Sequence, residues 1–440
     1  MKHLWLSITQ QDLEIEKLQA EQEGKDISSL LPMFEQLSKT DLENPRNQAE
    51  ARTLLEEVQR LPLKENFPYI EPSELNAIRE ERPSPSKSNF SISGDLYDKI
   101  YGAWLGRCAG NLLGKPVEGW KRERMWGYLR ETNRFPLSGY FSRSAANEIL
   151  KRYEISPGFF IEDISHVPED DDLNYTVIAL GILEKHGRAF TPSDVGDYWL
   201  SHLPILHTCT AERVAYKNIV NGLHPPETAS YCNPYREWIG AQIRADMWGY
   251  VNPANPEAAA SMAWRDACIS HVKNGIYGAM WVAAMLSVAF CTQNIREIIE
   301  AGLKEIPQKS RLTERIREQI ARRESFSSVD DAIGALHRDW DEMRAHDWCH
   351  VISNAEIVAT ALLWGDGDFA RSICLAVQAC FDTDCNGATV GSIIGAMKGT
   401  SALPNEWVSP LQETLETGVH GFMRVPIREL ALRTMRLIEA

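Results

Sequence analysis

Two acidic clusters carry the densest chemistry in the chain: Asp170-Asp171-Asp172, and far downstream Asp382-Thr383-Asp384. Carboxylates this close repel one another unless solvent, protonation or a cation relieves the charge. The second cluster lies in an apolar setting, with Leu375-Ala376-Val377-Gln378-Ala379-Cys380-Phe381 before it and a glycine-spaced apolar run after it. Buried acids need compensation, and hard divalent cations prefer oxygen ligands. The clusters therefore read in one of two ways. They form a shared site for one or two Mg²⁺-like ions, or they are a solvated loop and a helix N-terminus whose dipole favours acids.

Two glycine series supply a reason for the clusters to meet. Gly102, Gly106, Gly110 and Gly114 recur at every fourth position, as do Gly387, Gly391, Gly395 and Gly399. On a helix such positions share a face, so each segment carries a ridge almost free of side chains. Each glycine costs about 1 kcal/mol of helix propensity against alanine, which calls for a compensating gain. Close backbone approach is that gain, made either between the two ridges or between each ridge and some other helix. If the ridges pack antiparallel, the end of the first lies beside the start of the second, and Glu118 falls near Asp382 and Asp384. Arg107, Asn111 and Lys115 exclude a membrane helix at the first ridge.

The surrounding elements read as all-α. Helical periodicity is clear at Leu96, Ile100, Ala103 and Trp104, at Tyr175, Ile178, Ala179 and Ile182, and over residues 355–381. Residues 1–92 form a helical extension rich in Glu, Gln and Lys, ending in the linker signal Arg82-Pro83-Ser84-Pro85-Ser86. Residues 93–440 form one large multi-helix domain. Residues 134–169, with Pro136, Gly139, Pro157 and Pro168, read as loops near a cleft. Residues 292–350 read as solvent-exposed helices outside the chemical core, the run 311–323 being a solvated face. Asp366-Gly367-Asp368 reads as a turn between helices.

Composition narrows the function classes. A chain of 440 residues with 44% hydrophobic content can bury a large core. A net charge of −15 disfavours general nucleic-acid or anionic-membrane binding. Nine cysteines without a CxxC pair read as reduced thiols in the cytoplasm. The start, Met1-Lys2-His3-Leu4-Trp5-Leu6, is too short an apolar stretch for a secretory signal, and the apolar run 276–291 is a buried helix rather than a bilayer span.

Five segments in order resemble the ADP-ribosylglycohydrolases, the family of the ADP-ribosyl-arginine and ADP-ribosyl-serine hydrolases and the dinitrogenase-reductase-activating enzyme. The first is Gly102-Ala103-Trp104-Leu105-Gly106-Arg107-Cys108-Ala109-Gly110-Asn111-Leu112-Leu113-Gly114-Lys115-Pro116-Val117-Glu118. Asp170-Asp171-Asp172-Leu173 is similar to the family's Thr-Asp-Asp-Thr motif, and Asp382-Thr383-Asp384-Cys385-Asn386 to its Asp-Thr-Asp-Thr-Asn motif. Gly240-Ala241-Gln242-Ile243-Arg244 and His271-Val272-Lys273-Asn274-Gly275-Ile276-Tyr277 resemble its substrate-contacting segments.

The resemblance implies two Mg²⁺ ions in a central cleft, with Mn²⁺ as an alternative. Asp171 and Asp172 would hold one ion and Asp382 the other, with Asp384 bridging and Glu118 close by. Asp170 and Cys385 stand where the family has ligating threonines, so they join the metal set. Asn111, Arg244, His271, Asn274, Gly275 and Tyr277 would contact substrate, and Glu118 and Asp384 would act in catalysis. The implied reaction is hydrolysis of the ribosyl C1 glycosidic bond of an ADP-ribosylated protein or small compound. A smaller N-ribosyl nucleoside or nucleotide derivative is the alternative substrate, and a catalytically silent ADP-ribose binder or structural relative the alternative to an enzyme. Three departures bear on this: Asn111 replaces an aspartate, Leu173 loses a hydroxyl, and Cys385 brings a soft sulfur poorly matched to Mg²⁺.

Overall fold

Two helices joined along their glycine faces organise the molecule. In the computed structural model, which describes residues 6–83, 90–155 and 158–439, the Leu96–Gly114 and Thr383–Lys398 helices run antiparallel in the interior. Gly102 faces Gly395 and Gly399, Gly106 faces Gly391, Gly110 faces Gly387, and Gly114 faces Asp384. A Cβ added at Gly106 or Gly110 would fall inside the opposing carbonyl group, so this seam accepts no side chain. The lost helix propensity is offset by backbone contact that no larger residue permits.

Around the seam the chain is all-α. Among the described residues are twenty-four α-helices, several short 3₁₀ turns and one two-stranded antiparallel ribbon, Thr414–Glu416 with Arg424–Pro426. The Lys273–Ala289 helix is buried along its length from Asn274 onward, as its unbroken apolar run predicts. No helix among the described residues is long and apolar enough to cross a membrane. All nine cysteines are free.

Local signals explain where the key helices begin and end. Asp95 caps the first glycine helix by accepting from the Tyr97 and Asp98 amides. Pro116 then tightens the chain into a 3₁₀ turn, Lys115–Val117, which leaves Glu118 in an extended conformation beyond the helix end. Asp366 and Gly367 take left-handed backbone and Asp368 caps the next helix, the turn expected from Asp-Gly-Asp. Of the linker signal at residues 82–86, Ser84 to Ser86 lie outside the described residues, as do Met1 to Trp5 and Pro157.

The amino-terminal extension is locked onto the rest of the chain. Its Gln10–Gln22 helix presents Glu16, with Glu23 just beyond, to a buried Arg236, whose guanidinium donates to Glu16 at 2.6 and 3.0 Å and to Glu23 at 2.7 Å. Gln19 Nε2 donates to Glu237 Oε1 at 2.8 Å. Further on, Glu71 accepts from Arg311 and from Asn274 Nδ2, the latter at 2.8 Å. This corrects the reading of residues 311–323 as a solvated face. Arg311 is buried because Glu71 and Glu237 converge on its guanidinium. Leu312, Thr313, Ile316, Gln319 and Ile320 form a buried face of the same helix, which exposes only its other side at Glu314, Arg317 and Glu324.

Candidate metal centre

The two acidic clusters meet at the end of the glycine seam. Asp170 is the N-cap of the Asp171–His186 helix, its Oδ1 accepting from the Asp172 amide at 3.0 Å. Its Oδ2 forms an ion pair with Lys115, so both oxygens already have partners. Asp382 immediately precedes the second glycine helix, and its amide donates to Asn354 Oδ1 at 3.2 Å. Cys380 and Phe381 lead into it with φ of 67° and 59°, left-handed conformations that non-glycine residues rarely adopt. Such backbone persists only where its surroundings fix it, and it turns Asp382 and Asp384 toward the first cluster.

Two groups of ligand atoms result. Asp172, Asp384 and Cys385 offer atoms within 4.8 Å of one another, and so do Glu118, Asp382 and Asp384. Asp384 belongs to both. Asp172, Asp382, Asp384 and Cys385 are buried, whereas the Glu118 side chain is 45% exposed and marks the open side. Asn111 Nδ2 donates to Asp172 Oδ2 at 3.1 Å, which ties the first glycine helix to the first cluster. Arg107 holds the same helix start from below, donating to the Asp172 carbonyl and Thr176 Oγ1 at 2.9 and 2.8 Å and to Asp246 at 2.9 Å.

The charge balance calls for a cation. Burial, reinforced by neighbouring carboxylates, pushes the carboxyls of Asp171, Asp172 and Asp384 well above their usual range. Burial also raises Asp382. Burial works the same way on Asp170, but the Lys115 ammonium outweighs it and holds that carboxyl low. Desolvation on its inner side and the Asp382 charge push Glu118 up to about 7. Asp172 Oδ1, Asp384 Oδ1 and Asn111 Oδ1 are buried without a hydrogen-bond partner. The nearest cation to Asp172 Oδ1 is the Arg107 guanidinium, 3.7 Å away. Buried oxygens left unpaired are costly, and a divalent ion ligated by them removes that cost. The residues present fit a metal.

Of the expected metal set, the structure brings Asp172, Asp382, Asp384 and Cys385 together with Glu118, and Asn111 bonds Asp172. Asp170 is instead engaged by Lys115 and the Asp172 amide, and Asp171 joins neither ligand group. The other expected substrate contacts have internal partners. Arg244 is buried against Asp266, at 2.7 Å, and Glu212. His271 Nδ1 lies 2.8 Å from Ser270 Oγ. Asn274 is held by Glu71 and Glu237, Gly275 packs beneath Arg236 and His271, and the Tyr277 hydroxyl donates to the Pro72 carbonyl.

Other side chains at the centre escaped sequence reasoning. Cys349 Sγ lies 3.7 Å from Asp382 Oδ2, and Lys115 neutralises Asp170. A lysine one turn before Glu118 was the available signal for Lys115; nothing in the sequence marks Cys349. His346, Asp347 and His350 have structural roles. His346 accepts from Trp238 Nε1 at 3.1 Å, Asp347 Oδ2 accepts from the Asp341 amide at 3.1 Å, and His350 Nδ1 accepts from the Ile352 amide at 3.2 Å.

An all-helical domain closed on a glycine seam, with a two-lobed acid cluster at its end, is the class that fold and site define. The family model for ADP-ribosylglycohydrolase matches residues 93–440, and the chain belongs to that family. Its members are glycohydrolases of ADP-ribosyl compounds and are generally metal-dependent. A solved structure described as an "ADP-ribosylglycohydrolase-related protein complex" shares the fold, with a TM-score of 0.50 and 19% identity over 78% of this chain and 99% of that one. No curated protein sequence matches the chain.

Proposed function

We propose that the protein is a cytoplasmic, Mg²⁺- or Mn²⁺-dependent hydrolase that cleaves the ribosyl C1 glycosidic bond of ADP-ribosylated substrates. The observation that carries this reading is the sharing of Asp384 between two ligand groups, one of which opens to solvent at Glu118. A divalent ion bound there supplies Lewis-acid polarisation of ribose hydroxyls and of water. Glu118 faces the open side, and its carboxylate is placed to take a proton from the attacking water as the C1 bond to the acceptor breaks. The carboxylate-rich wall of Asp171, Asp382 and Asp384 suits the positive charge that develops on the sugar. Lys115 keeps Asp170 engaged, and Asn111 orients Asp172.

Residues 93–440 form the catalytic domain in this proposal, and the described part of residues 1–92 a wall packed on it. A second reading is favoured by one feature of that wall. Glu71 and Pro72 sit on Asn274 and Tyr277, two side chains that the family's motif sets against the ligand. Such an arrangement suits a compact N-ribosyl nucleoside or nucleotide derivative. Incubation with Mg²⁺ and a panel of ADP-ribosylated peptides and small ribosyl compounds separates the readings. Free ADP-ribose from the peptides supports the first, turnover restricted to small compounds supports the second, and binding of ADP-ribose without turnover identifies a silent relative.

A further inference from the structure

The two lobes of the acid cluster differ in chemistry. Glu118, Asp382 and Asp384 offer oxygen alone, and Glu118 opens that lobe to solvent while Asp382 and Asp384 are buried. Asp172, Asp384 and Cys385 add a sulfur, and every member of that lobe is buried. Oxygen ligands and partial hydration suit Mg²⁺, which gives up its water reluctantly. A buried site with a thiol suits a softer ion of the zinc class.

We propose, on the reading of this cluster as a metal centre, that its inner lobe is a mixed oxygen–sulfur site in which Cys385 ligates a borderline-soft divalent ion such as Zn²⁺ or Co²⁺. Three partnerless oxygens supply the independent sign of a ligand: Asp172 Oδ1, Asp384 Oδ1 and Asn111 Oδ1, on residues that are 0, 2 and 0% exposed. Asp172 and Asp384 are fixed by their places in the first turns of two helices, and Asn111 by its bond to Asp172. Cys385 follows Asp384 directly in the same first turn, with one side against the apolar cluster of Ile15, Trp238, Ile243 and Cys349. That packing limits the freedom of its side chain and keeps the inner lobe dry. The ion binds the sulfur as thiolate, and the thiol proton passes to solvent. The outer lobe keeps its oxygen ligands and takes the harder ion, so the centre holds two unlike metals.

The test is a Co²⁺ titration of the metal-free full-length protein, read by absorption. The expected result is a near-ultraviolet thiolate-to-cobalt charge-transfer band that is lost in both Cys385→Ser and Cys385→Thr, while Co²⁺ still binds to the outer lobe. In the same variants Zn²⁺ affinity falls by about 10-fold or more and Mg²⁺ affinity is held within about 2-fold. Cys349→Ser, which removes the sulfur 3.7 Å from Asp382 Oδ2, is expected to keep the band, so the assignment holds if either Cys385 variant fails to fold. Loss of the band in Cys349→Ser overturns it. Co²⁺ binding with no charge-transfer band, or a band that survives loss of Cys385, overturns the sulfur ligand and leaves the oxygen-ligated metal centre standing. Failure of every divalent ion to bind overturns both.

Discussion

The main-chain nitrogen of Asp384 occupies the space that a Cβ on Gly114 would take. The Thr383 hydroxyl, one residue earlier, donates to the Gly114 carbonyl at 2.9 Å. The carboxylate shared by both ligand groups is thus placed by backbone contact between two helices, and the seam tolerates no addition. Gly110→Ala and Gly387→Ala should each lower stability by about 1–3 kcal/mol, because the new methyl meets a carbonyl group rather than a pliable side chain. Thermal melts check this, and activity should fall with the melting temperature. Unchanged melts in both variants would mean that the helices do not touch there.

Glu118 is the acid that faces the open side, so its effect should fall on turnover. Glu118→Gln is expected to lower kcat by about 100-fold or more while ADP-ribose affinity changes little. Desolvation and Asp382 push its carboxyl up to about 7, and the role requires the carboxylate. Rate should therefore rise with pH through that group's pKa and then level, the limb moving lower as bound cations favour the charged form. The variant should lose this limb. Single-turnover kinetics over a pH series, paired with calorimetry, decide the matter; weakened binding with normal turnover would remove Glu118 from the proton transfer.

Arg236 should anchor the extension. Glu16 and Glu23 are both buried against it, so Arg236→Ala leaves two carboxylates uncompensated. Removing one partner of a buried ionic cluster costs about 3–5 kcal/mol. The expected outcome is a large drop in melting temperature together with faster proteolysis within residues 10–60. Wild-type resistance to protease in this variant would show that the extension is held by other contacts.

Acid should unload stability through His337. It is buried with Nε2 2.9 Å from the Ala379 carbonyl, and burial, opposed by that bond and aided by Arg122, brings its pKa to about 4 from 6.5. The folded state then binds fewer protons than the unfolded one between these values. Its contribution is complete above pH 6.5 and is lost as pH falls through 4, amounting to about 3 kcal/mol. Denaturation curves for wild type and His337→Asn should diverge across that window, the wild type losing more. Parallel curves would show that the ring titrates normally in the fold.

The helical class was legible in the apolar periodicity, and the glycine spacing marked two faces for close backbone approach while leaving open whether they meet each other. Their pairing, and with it the meeting of the acidic clusters, is what the structure adds. A four-residue glycine period admits few explanations, and in the structure it packs antiparallel as the position of Glu118 requires. The partners of polar side chains were less legible. Arg311, read as solvated among alternating charges, is buried because Glu71 and Glu237 reach it from positions far off in sequence. Asp170 looked like one acid among three, yet capping and Lys115 engage both of its oxygens. No local pattern records such long-range pairing. The extension's grip on Arg236 was hidden for the same reason: its acids read as an ordinary charged helix until a buried guanidinium is set beside them.

The most direct test is the release of free ADP-ribose from ADP-ribosylated peptides by the metal-free protein, before and after Mg²⁺ or Mn²⁺ is restored, in wild type and Asp384→Asn. Asp384 is the residue common to both ligand groups. Activity is predicted to appear only with metal in the wild type and to stay absent in the variant, whose metal binding should be lost as well. Equal release by wild type and Asp384→Asn, or release that is indifferent to metal, would contradict the account.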